Sequence, residues 1–222
     1  MTSQIHQFSE FPKMARLSRE VIITEKIDGT NAQIAIIPLE NRADFPAHSL
    51  GVFDIEGSLF YMAAGSRSRW ITPQDDNYGF AGWCHRNFEQ LTLLGPGRHF
   101  GEWWGGGIQR GYGLEKMHKR LSLFNTSRYC MYGDTPKAIS VTPIATHWQR
   151  VLPPCVGLVP ELYRGEFTTD VCVAALAELR FSGSRAAPGF MKPEGIVAYH
   201  TAAGIGFKKT LEKDESPKSL NK

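Results

Sequence analysis

The sequence has little of what marks a membrane, secreted or disulfide-bonded protein. No apolar run approaches the roughly 18 residues that a membrane-spanning helix needs, and the N-terminal segment lacks the basic and then apolar layout of a signal peptide. The 4 cysteines are widely spaced with no C-x-x-C pair, which disfavours a zinc site and a disulfide framework and suits a reducing compartment. We therefore expect a cytoplasmic protein that does not enter a membrane.

An excess of charge of either sign is also missing. The 222 residues carry 25 Lys and Arg against 22 Asp and Glu, a formal charge of +3, which excludes a strongly basic coat protein and a protein with an acidic tail. Hydrophobic residues make up 42% of the chain, so a protein of this length can bury a core large enough to fold without disulfides or metal.

Composition shows no boundary between domains, no internal repeat and no low-complexity segment. Four prolines between 135 and 154 predict an irregular connection inside the domain. We expect one domain over residues 1–212, followed at 213–222 by a flexible tail that is charged and almost free of apolar residues.

Short β-rich runs dominate the pattern, and helical periodicity is less common. One predicted helix runs from a cap at Asp170 to Gly183, and a second covers 84–94 and stops at the Gly-Pro-Gly that follows. Many strands without βαβ alternation predict an α+β fold of mainly antiparallel sheets flanked by a few helices. The predicted strands are 21–24, 32–37, 52–62, 121–125, 156–162, 195–199 and 205–208.

The most informative segment is E-K-I-D-G-T-N at 25–31. An apolar strand delivers Lys26 to a tight Asp-Gly turn and a second apolar strand leaves it, so the lysine is expected at the mouth of a sheet. Lysine becomes a nucleophile when its amine is deprotonated, which desolvation, nearby cations or a bound metal can favour. An ordinary Asp-Gly hairpin whose Lys and Glu face solvent fits the spacing equally well.

The string K-I-D-G at 26–29 resembles motif I, K-x-D-G, of the covalent nucleotidyltransferases, which are DNA ligases, RNA ligases and mRNA capping enzymes. The longer string at 25–31 more closely resembles the RNA ligase 2 branch. The resemblance implies the ATP-grasp-like adenylation domain of ligases, with Lys26 as the nucleophile and Glu25 and Asn31 as nucleotide-binding residues. Further motifs should then follow in a fixed order.

Motifs Ia and III have counterparts in the first half of the chain. S-R-S-R-W at 66–70 resembles motif Ia, where a basic residue meets a phosphate or ribose, and the arginine fork can hold two phosphate oxygens. Arg67 is the preferred candidate and Arg69 the alternative, while a solvated basic loop fits equally well. Glu102, followed by two tryptophans, resembles the motif III acid that accepts hydrogen bonds from ribose hydroxyls.

Motifs IIIa, IV and V follow in order. Phe124, at the end of K-R-L-S-L-F-N, resembles the motif IIIa aromatic residue that stacks on the purine. Glu194 in P-E-G-I-V resembles the motif IV acid that supports a divalent metal. G-F-K-K-T at 206–210 resembles motif V, in which lysines reach the α-phosphate. The family pattern is K-x-K, and here Thr210 takes the position of the second lysine. It therefore stays open whether Lys209 compensates for that missing lysine.

Together the motifs imply an ATP-dependent RNA ligase of nucleic-acid repair that forms a lysyl-AMP intermediate, uses Mg²⁺ or Mn²⁺, and joins 5′-phosphate to 3′-hydroxyl ends of RNA, or of DNA. A DNA ligase or guanylyltransferase of the same superfamily and a non-catalytic nucleotide or nucleic-acid binding module stay open. The implied catalytic residues are Lys26, Lys208 and Lys209, the implied metal ligand is Glu194, and the implied nucleotide-binding residues are Glu25, Asn31, Arg67, Glu102, Phe124, Glu194 and Lys208.

Nucleic-acid binding is less marked in the sequence. Related DNA ligases and capping enzymes carry a C-terminal OB-fold, and the RNA ligase 2 branch carries its own C-terminal domain. The few residues after Thr210 leave no room for either, so we expect a bare adenylation domain, which either relies on a partner protein to bind RNA or grips a short strand itself. The candidate RNA-facing patch consists of Arg110, Lys116, Lys119 and Arg120, interleaved with Tyr112 and His118, and a solvated loop face fits these residues as well.

Overall fold

The protein forms a mixed α+β structure in a computed structural model that describes residues 10–130, 138–142, 145–148, 150–212 and 214, with the backbone alone described at 138–142 and 145–148. The helices are α1 (Phe80–Arg86), α2 (Phe88–Leu91) and α3 (Thr169–Ser182). The strands are β1 (Glu20–Lys26), β2 (Thr30–Pro38), β3 (Ser49–Ile55), β4 (Ser58–Gly65), β5 (Trp70–Ile71), β6 (Gly97–Gly105), β7 (Lys119–Leu123), β8 (Tyr129–Cys130), β9 (Ala138–Thr142), β10 (Ala145–Trp148), β11 (Arg150–Val151), β12 (Val156–Leu158), β13 (Glu161–Glu166), β14 (Gly195–His200) and β15 (Ile205–Thr210).

Two sheets carry most of the strands. The small sheet has the order β13-β1-β14-β15 and is antiparallel throughout. The large sheet has the order β12-β7-β6-β2-β4-β3, with β5 beside β4, and only its β12–β7 pair is parallel. Two short pairs, β9–β10 and β8–β11, complete the described strands. The predicted α+β class with mainly antiparallel sheets and few helices is confirmed.

Three apolar clusters hold these layers together. One face of the large sheet packs against α1 and α2 through residues such as Ile34, Met62, Phe80 and Trp103. The small sheet packs against α3 through Val21, Ile23, Ala175, Leu179, Ile196 and Ala198. A junction cluster lies at the link between the sheets and consists of Ile27, Trp104, Tyr112, Val159 and Ala187. In the described part of the chain no helix is long and apolar enough to cross a membrane.

The alternative interpretation of residues 25–31 as an Asp-Gly hairpin is wrong, because β1 and β2 belong to different sheets. The Asp28–Gly29 link carries the chain from the small sheet into the large one. Gly29 passes so close to β6 that an added Cβ would lie 2.5 Å from the Trp103 carbonyl oxygen. The glycine is therefore needed for a close approach between backbones.

Two predicted strands each divide into two. The 52–62 run becomes β3 and β4, joined by a turn at Glu56 and Gly57, both of which have positive φ. The apolar residues continue across this turn and conceal it in the sequence. The 156–162 run divides at Val159-Pro160 into β12 of the large sheet and β13 of the small one, and proline marks the break because it has no N–H for a ladder.

The helix boundaries also differ from the prediction. Thr168 caps α3, since its hydroxyl accepts from the Val171 N–H at 3.3 Å, and Asp170 lies in the first turn; the predicted end at Gly183 is confirmed. The predicted 84–94 helix begins earlier as α1 and continues through α2 into a 3₁₀ turn, Thr92–Leu94. The side chain of Asp76 accepts from the Ala81 and Gly82 N–H groups at 2.8 and 2.9 Å, which explains the earlier start.

Two predictions fall partly beyond the described residues. The irregular connection at 135–154 includes β9, β10 and β11, and its other residues lie partly outside the description. The predicted tail at 213–222 lies outside it except for Asp214.

Candidate active site

The last residue of β1 and the residue before β14 meet at the end of the small sheet. Pairing of β1 with β14 sets Lys26 opposite Gly195, and the Lys26 Nζ lies 2.5 Å from the Glu194 Oε2. The side chains are 22% and 4% exposed. Gly195 has a φ of +155°, and an added Cβ there would lie 2.2 Å from the Lys209 carbonyl oxygen, so only glycine lets β14 start here.

Glu102 reaches this pair from the large sheet. Its carboxylate accepts from the Gly29 N–H at 3.0 Å and from the Asn31 side-chain amide at 3.5 Å. Burial raises the pKa of Glu102 to about 7; the Gly29 hydrogen bond and the charge of Lys26 oppose this rise, while Glu194 adds to it. Glu102, Lys26 and Glu194 therefore share one electrostatic neighbourhood where the two sheets meet.

One face of the large sheet carries the remaining polar and aromatic candidates. Glu102 pairs across the ladders with Asn31 and with Ser122, and residues directly opposite each other point to the same face. Phe124, two residues after Ser122, donates its N–H to the Phe100 carbonyl at 3.0 Å and is 42% exposed. Strand alternation thus places Phe124 on the Glu102 face, opposite the face that packs against α1 and α2.

The two lysines of β15 lie on opposite faces of the small sheet. Lys208 pairs with Val197, which pairs with Thr24, and alternation along β1 places Lys26 on that same face. Lys209 pairs with Ile196 and lies on the face that packs against α3, where its Nζ is 3.3 Å from Asp214. The structure thus places Lys208 on the face of the small sheet that carries Lys26, and Lys209 on the opposite face.

The structure also separates the two motif Ia candidates. Arg69 binds both carboxylate oxygens of Asp75 at 2.6 and 3.0 Å, so its fork is occupied. Arg67 is exposed, and within the described residues no hydrogen bond or ion pair engages its side chain. Arg67 follows β4, the neighbour of β2 in the large sheet, and its guanidinium has donors to offer a ligand.

Glu25 serves the fold instead of the ligand-facing surface. It is 1% exposed and accepts from the Ser184 hydroxyl at 2.6 Å, the Arg185 N–H at 2.8 Å and the Ala186 N–H at 2.9 Å. Burial raises its pKa, against the effect of these hydrogen bonds. Glu25 anchors the segment that leads from α3 to Glu194, and so positions the motif IV acid indirectly.

Two basic residues predicted to face RNA are engaged within the protein. Arg110 donates to Asp28 at 3.2 Å and to the Lys192 carbonyl at 3.0 Å. Lys119 donates to the Tyr78 carbonyl at 3.0 Å. Arg120 is exposed, with its guanidinium 5.6 Å from the centre of the Trp104 ring, and it is the predicted RNA-facing arginine that retains an open side.

Tyr112 belongs to this site, although no motif in the sequence assigned it a role in nucleotide binding. Its hydroxyl accepts from the Asp28 N–H at 2.7 Å, and burial raises its pKa. Tyr112 has a φ of +52° and sits between glycines in G-Y-G at 111–113, a strained placement that fixes the turn after Lys26. In the sequence, Tyr112 was named only as an aromatic residue within the candidate RNA-facing patch.

The carboxylates suit a divalent cation that arrives with a nucleotide. Among the described residues no three His, Cys, Asp or Glu side chains cluster as metal ligands. Glu194 could supply one carboxylate, with phosphate oxygens and waters completing the shell. Mg²⁺ is bound in this way in many phosphate-transferring sites, so the donor set fits Mg²⁺ or Mn²⁺.

The chain is similar in its coordinates to solved structures of RNA ligase from Naegleria gruberi. An apo variant and a variant with ATP and Mn each align over 87% of this chain and 50% of their own, at 16% identity and a TM-score of 0.46. Another variant with ATP and Mn aligns over 86% and 48%, at 17% identity and a TM-score of 0.47. This chain thus spans about half the length of the ligases that it matches.

No protein-family model and no curated protein matches the chain.

Proposed function

We propose that the protein is an ATP-dependent RNA ligase that works through a lysyl-AMP intermediate on Lys26. The observation that carries the proposal is the 2.5 Å contact of Lys26 with Glu194, 168 positions away in sequence, with the Glu102 carboxylate in the same electrostatic neighbourhood. These are the residues that match motifs I, III and IV. A solvated Asp-Gly hairpin would have left them apart.

In the first step the Lys26 amine attacks the α-phosphorus of ATP. The Lys26–Glu194 pair separates, and the ammonium group loses one proton to water, which frees its lone pair. The amine then forms an N–P bond and loses a second proton to water, while the bond to the β-phosphate oxygen breaks to release pyrophosphate. Negative charge grows on the phosphate oxygens as this happens. Lys208 lies on the same face as Lys26 and would stabilise that charge.

In the two following steps AMP moves to an RNA end and is then displaced. A 5′-phosphate oxygen attacks the lysyl-AMP phosphorus, which regenerates the Lys26 amine, and a 3′-hydroxyl then attacks the activated 5′-phosphate and expels AMP. Phe124 would stack on the adenine, Glu102 and Asn31 would hold the ribose, and Arg67 would bind a phosphate or ribose oxygen. Glu194, released from Lys26, would hold the divalent cation, which supplies charge neutralisation at the phosphates.

The decisive experiment uses α-labelled ATP with Mg²⁺ or Mn²⁺, followed by denaturing electrophoresis. We expect a labelled adduct on the protein that is absent from Lys26→Ala. Lys13→Ala, at an exposed lysine outside the sheets, is the matched control and should label like the wild type. An adduct that persists in Lys26→Ala would show that another residue is the nucleophile.

Competition experiments identify which nucleotide the protein uses and whether the joined strand is RNA or DNA. Excess unlabelled ATP should suppress the adduct more strongly than GTP, which separates a ligase from a guanylyltransferase. The adenylated protein should then pass AMP to a 5′-phosphorylated RNA end in preference to the same DNA end. Transfer of AMP to DNA alone would show that the protein is a DNA ligase with the same chemistry and not an RNA ligase.

A second candidate function is a nucleotide-binding module without turnover. Thr210, in the slot of the second motif V lysine, donates its hydroxyl to the Glu212 carbonyl at 2.9 Å and its N–H to Asp214 at 2.9 Å. The slot therefore supplies no cation to the phosphates. Saturable ATP binding by calorimetry, with no adduct under any cation, would establish this alternative.

A further inference from the structure

A pocket that the proposed adenylation chemistry does not use lies beside the turn after Lys26. Its volume is about 390 Å³, within the range of small-ligand sites. It is lined by residues 112–114, residues 187–190 and Arg120 of β7. The pocket is thus assembled from three separate parts of the chain.

Aromatic rings form the apolar part of the pocket. The rings of Tyr112 and Phe190 lie 4.7 Å apart at an interplanar angle of 38°. Trp104 supports Tyr112 from behind, edge to face at 5.2 Å. Tyr112 and Trp104 are each 2% exposed, so this wall is rigid, and Phe190 is its accessible member.

Arg120 supplies a cation with unused donors. Its guanidinium lies over Trp104, and its one hydrogen bond in the described chain is a 3.5 Å contact to the Ala186 carbonyl. Lys116 and His118 are exposed on the loop that precedes β7, where Glu115 is the acidic neighbour. The pocket therefore combines an aromatic wall with an arginine. We call Lys116 and His118, on the loop between the lining residue Leu114 and β7, its basic margin.

The pocket is connected to the nucleophile through Tyr112. The ring of Tyr112 lines the pocket, while its hydroxyl accepts from the Asp28 N–H at 2.7 Å. Asp28 follows Lys26 by two residues and also binds Arg110. A ligand in the pocket would therefore be held on the wall that fixes the Lys26 turn.

We propose that this pocket binds one unpaired base of the RNA strand close to the end that is joined. The inference rests on the proposed function and adds to it where the strand docks. Single-stranded RNA is recognised by splayed bases that stack on aromatic rings or on arginine planes, and the basic margin suits the adjoining phosphates. The volume admits one base with its sugar, which favours a single nucleotide over a duplex.

The test uses short 5′-phosphorylated RNAs with 2-aminopurine at successive positions from each end. Stacking on an aromatic ring quenches this base, so the wild type should quench it at one position only. Phe190→Ala and Arg120→Ala should each remove the quench and weaken RNA binding about tenfold or more, whereas Phe190→Tyr should keep both. The matched controls are Phe181→Ala and Arg180→Ala on the exposed side of α3.

The outcomes separate this inference from the proposed function. Wild-type affinity and quenching in folded Phe190→Ala and Arg120→Ala, with folding checked by circular dichroism, would overturn the pocket assignment even if the wild type forms the AMP adduct. Failure of the wild type to bind RNA would overturn it as well. Absence of the adduct from the wild type would instead overturn the proposed function.

Discussion

At the scale of single residues, the direction of a side chain decides which lysine of β15 can serve the site. Lys208 and Lys209 are adjacent, have the same charge and are both exposed. Register places one on the Lys26 face and the other against Asp214 on the α3 face. The motif string names both lysines, and only the pairing of β14 with β15 distinguishes them.

Alanine substitution at these two positions should therefore give unequal results. We expect Lys208→Ala to slow formation of the AMP adduct by on the order of a hundredfold, since it removes a charge that stabilises the transition state. Lys209→Ala should label at close to the wild-type rate. The measurement is the initial rate of adduct formation at saturating ATP, and equal losses in the two variants would contradict the assignment by register.

Glu102 makes the stability of the folded protein depend on pH. Its pKa is about 7 in the folded protein against an ordinary 4.5, so the unfolded chain releases the proton first as the pH rises. The contribution of Glu102 to the free energy of unfolding is therefore complete below pH 4.5 and is lost as the pH rises to about 7. The loss is about 1.4 kcal/mol per pH unit at most.

We expect Glu102→Gln to flatten the fall in stability between pH 4.5 and 7, because glutamine keeps an acceptor for the Gly29 N–H and does not titrate. Some slope should remain, since Glu25 also has a raised pKa. The measurement is the free energy of unfolding in urea at several pH values. Glu40→Gln, at an exposed glutamate, is the control and should keep the wild-type slope, whereas a steep fall in Glu102→Gln would contradict the assignment.

At the scale of elements, the sequence predicted the strands better than their partners. Apolar alternation located β1, β2, β14 and β15, and the motif order brought Lys26, Glu102 and Glu194 into one proposed site. The prediction failed at the links between strands. Asp-Gly is a strong local hairpin signal. The close approach of Gly29 to β6 depends instead on residues far along the chain, since Gly29 and Glu102 are 73 positions apart. A local sequence pattern cannot report such a contact.

The crossing at Gly29 should tolerate no side chain. In Gly29→Ala the new Cβ would meet the Trp103 oxygen at 2.5 Å and the Trp104 Cβ at 2.8 Å, so the link must move away from β6 and weaken the hydrogen bond to Glu102. We expect a loss of roughly 1–3 kcal/mol in unfolding free energy together with a large loss of adduct formation. Urea unfolding and the adduct assay measure the two effects.

Gly157→Ala is the matched control for this substitution. Gly157 lies in β12, and its Cβ would meet nothing closer than 3.7 Å, so the stability of this variant should stay near that of the wild type. Equal stability of the two variants would show that the crossing at Gly29 is looser than the structure indicates.

At the scale of the whole molecule, the two sheets have separate cores joined at a junction. The large-sheet core and the small-sheet core share no residue. The junction cluster, with Ile27 after β1 and Trp104 in β6, is the apolar contact that makes them depend on each other. Sequence periodicity identifies apolar faces, but not which faces share a core.

The junction predicts that the sheets unfold together. Four of the 5 tryptophans, Trp70, Trp83, Trp103 and Trp104, belong to the large sheet and α1, and the fifth, Trp148, lies in β10. The strands of the small sheet and α3 contain no tryptophan, so fluorescence does not report the small sheet directly. Leu179→Ala, at a fully buried position of α3, should cost about 2–5 kcal/mol and shift the fluorescence and circular dichroism midpoints equally.

Val173→Ala, at a 61% exposed position of the same helix, is the control and should shift neither midpoint. A fluorescence midpoint that stays in place while the circular dichroism midpoint falls in Leu179→Ala would show two independent units.

The contact between Lys26 and Glu194 also matters when the protein is idle. The amine is held against the Glu194 carboxylate, and only 22% of its side chain is open to solvent. Aldehydes and acyl donors that modify lysines elsewhere on the surface should therefore react more slowly with Lys26. The group on which the proposed chemistry depends is thus protected from chance damage until a nucleotide separates it from its partner.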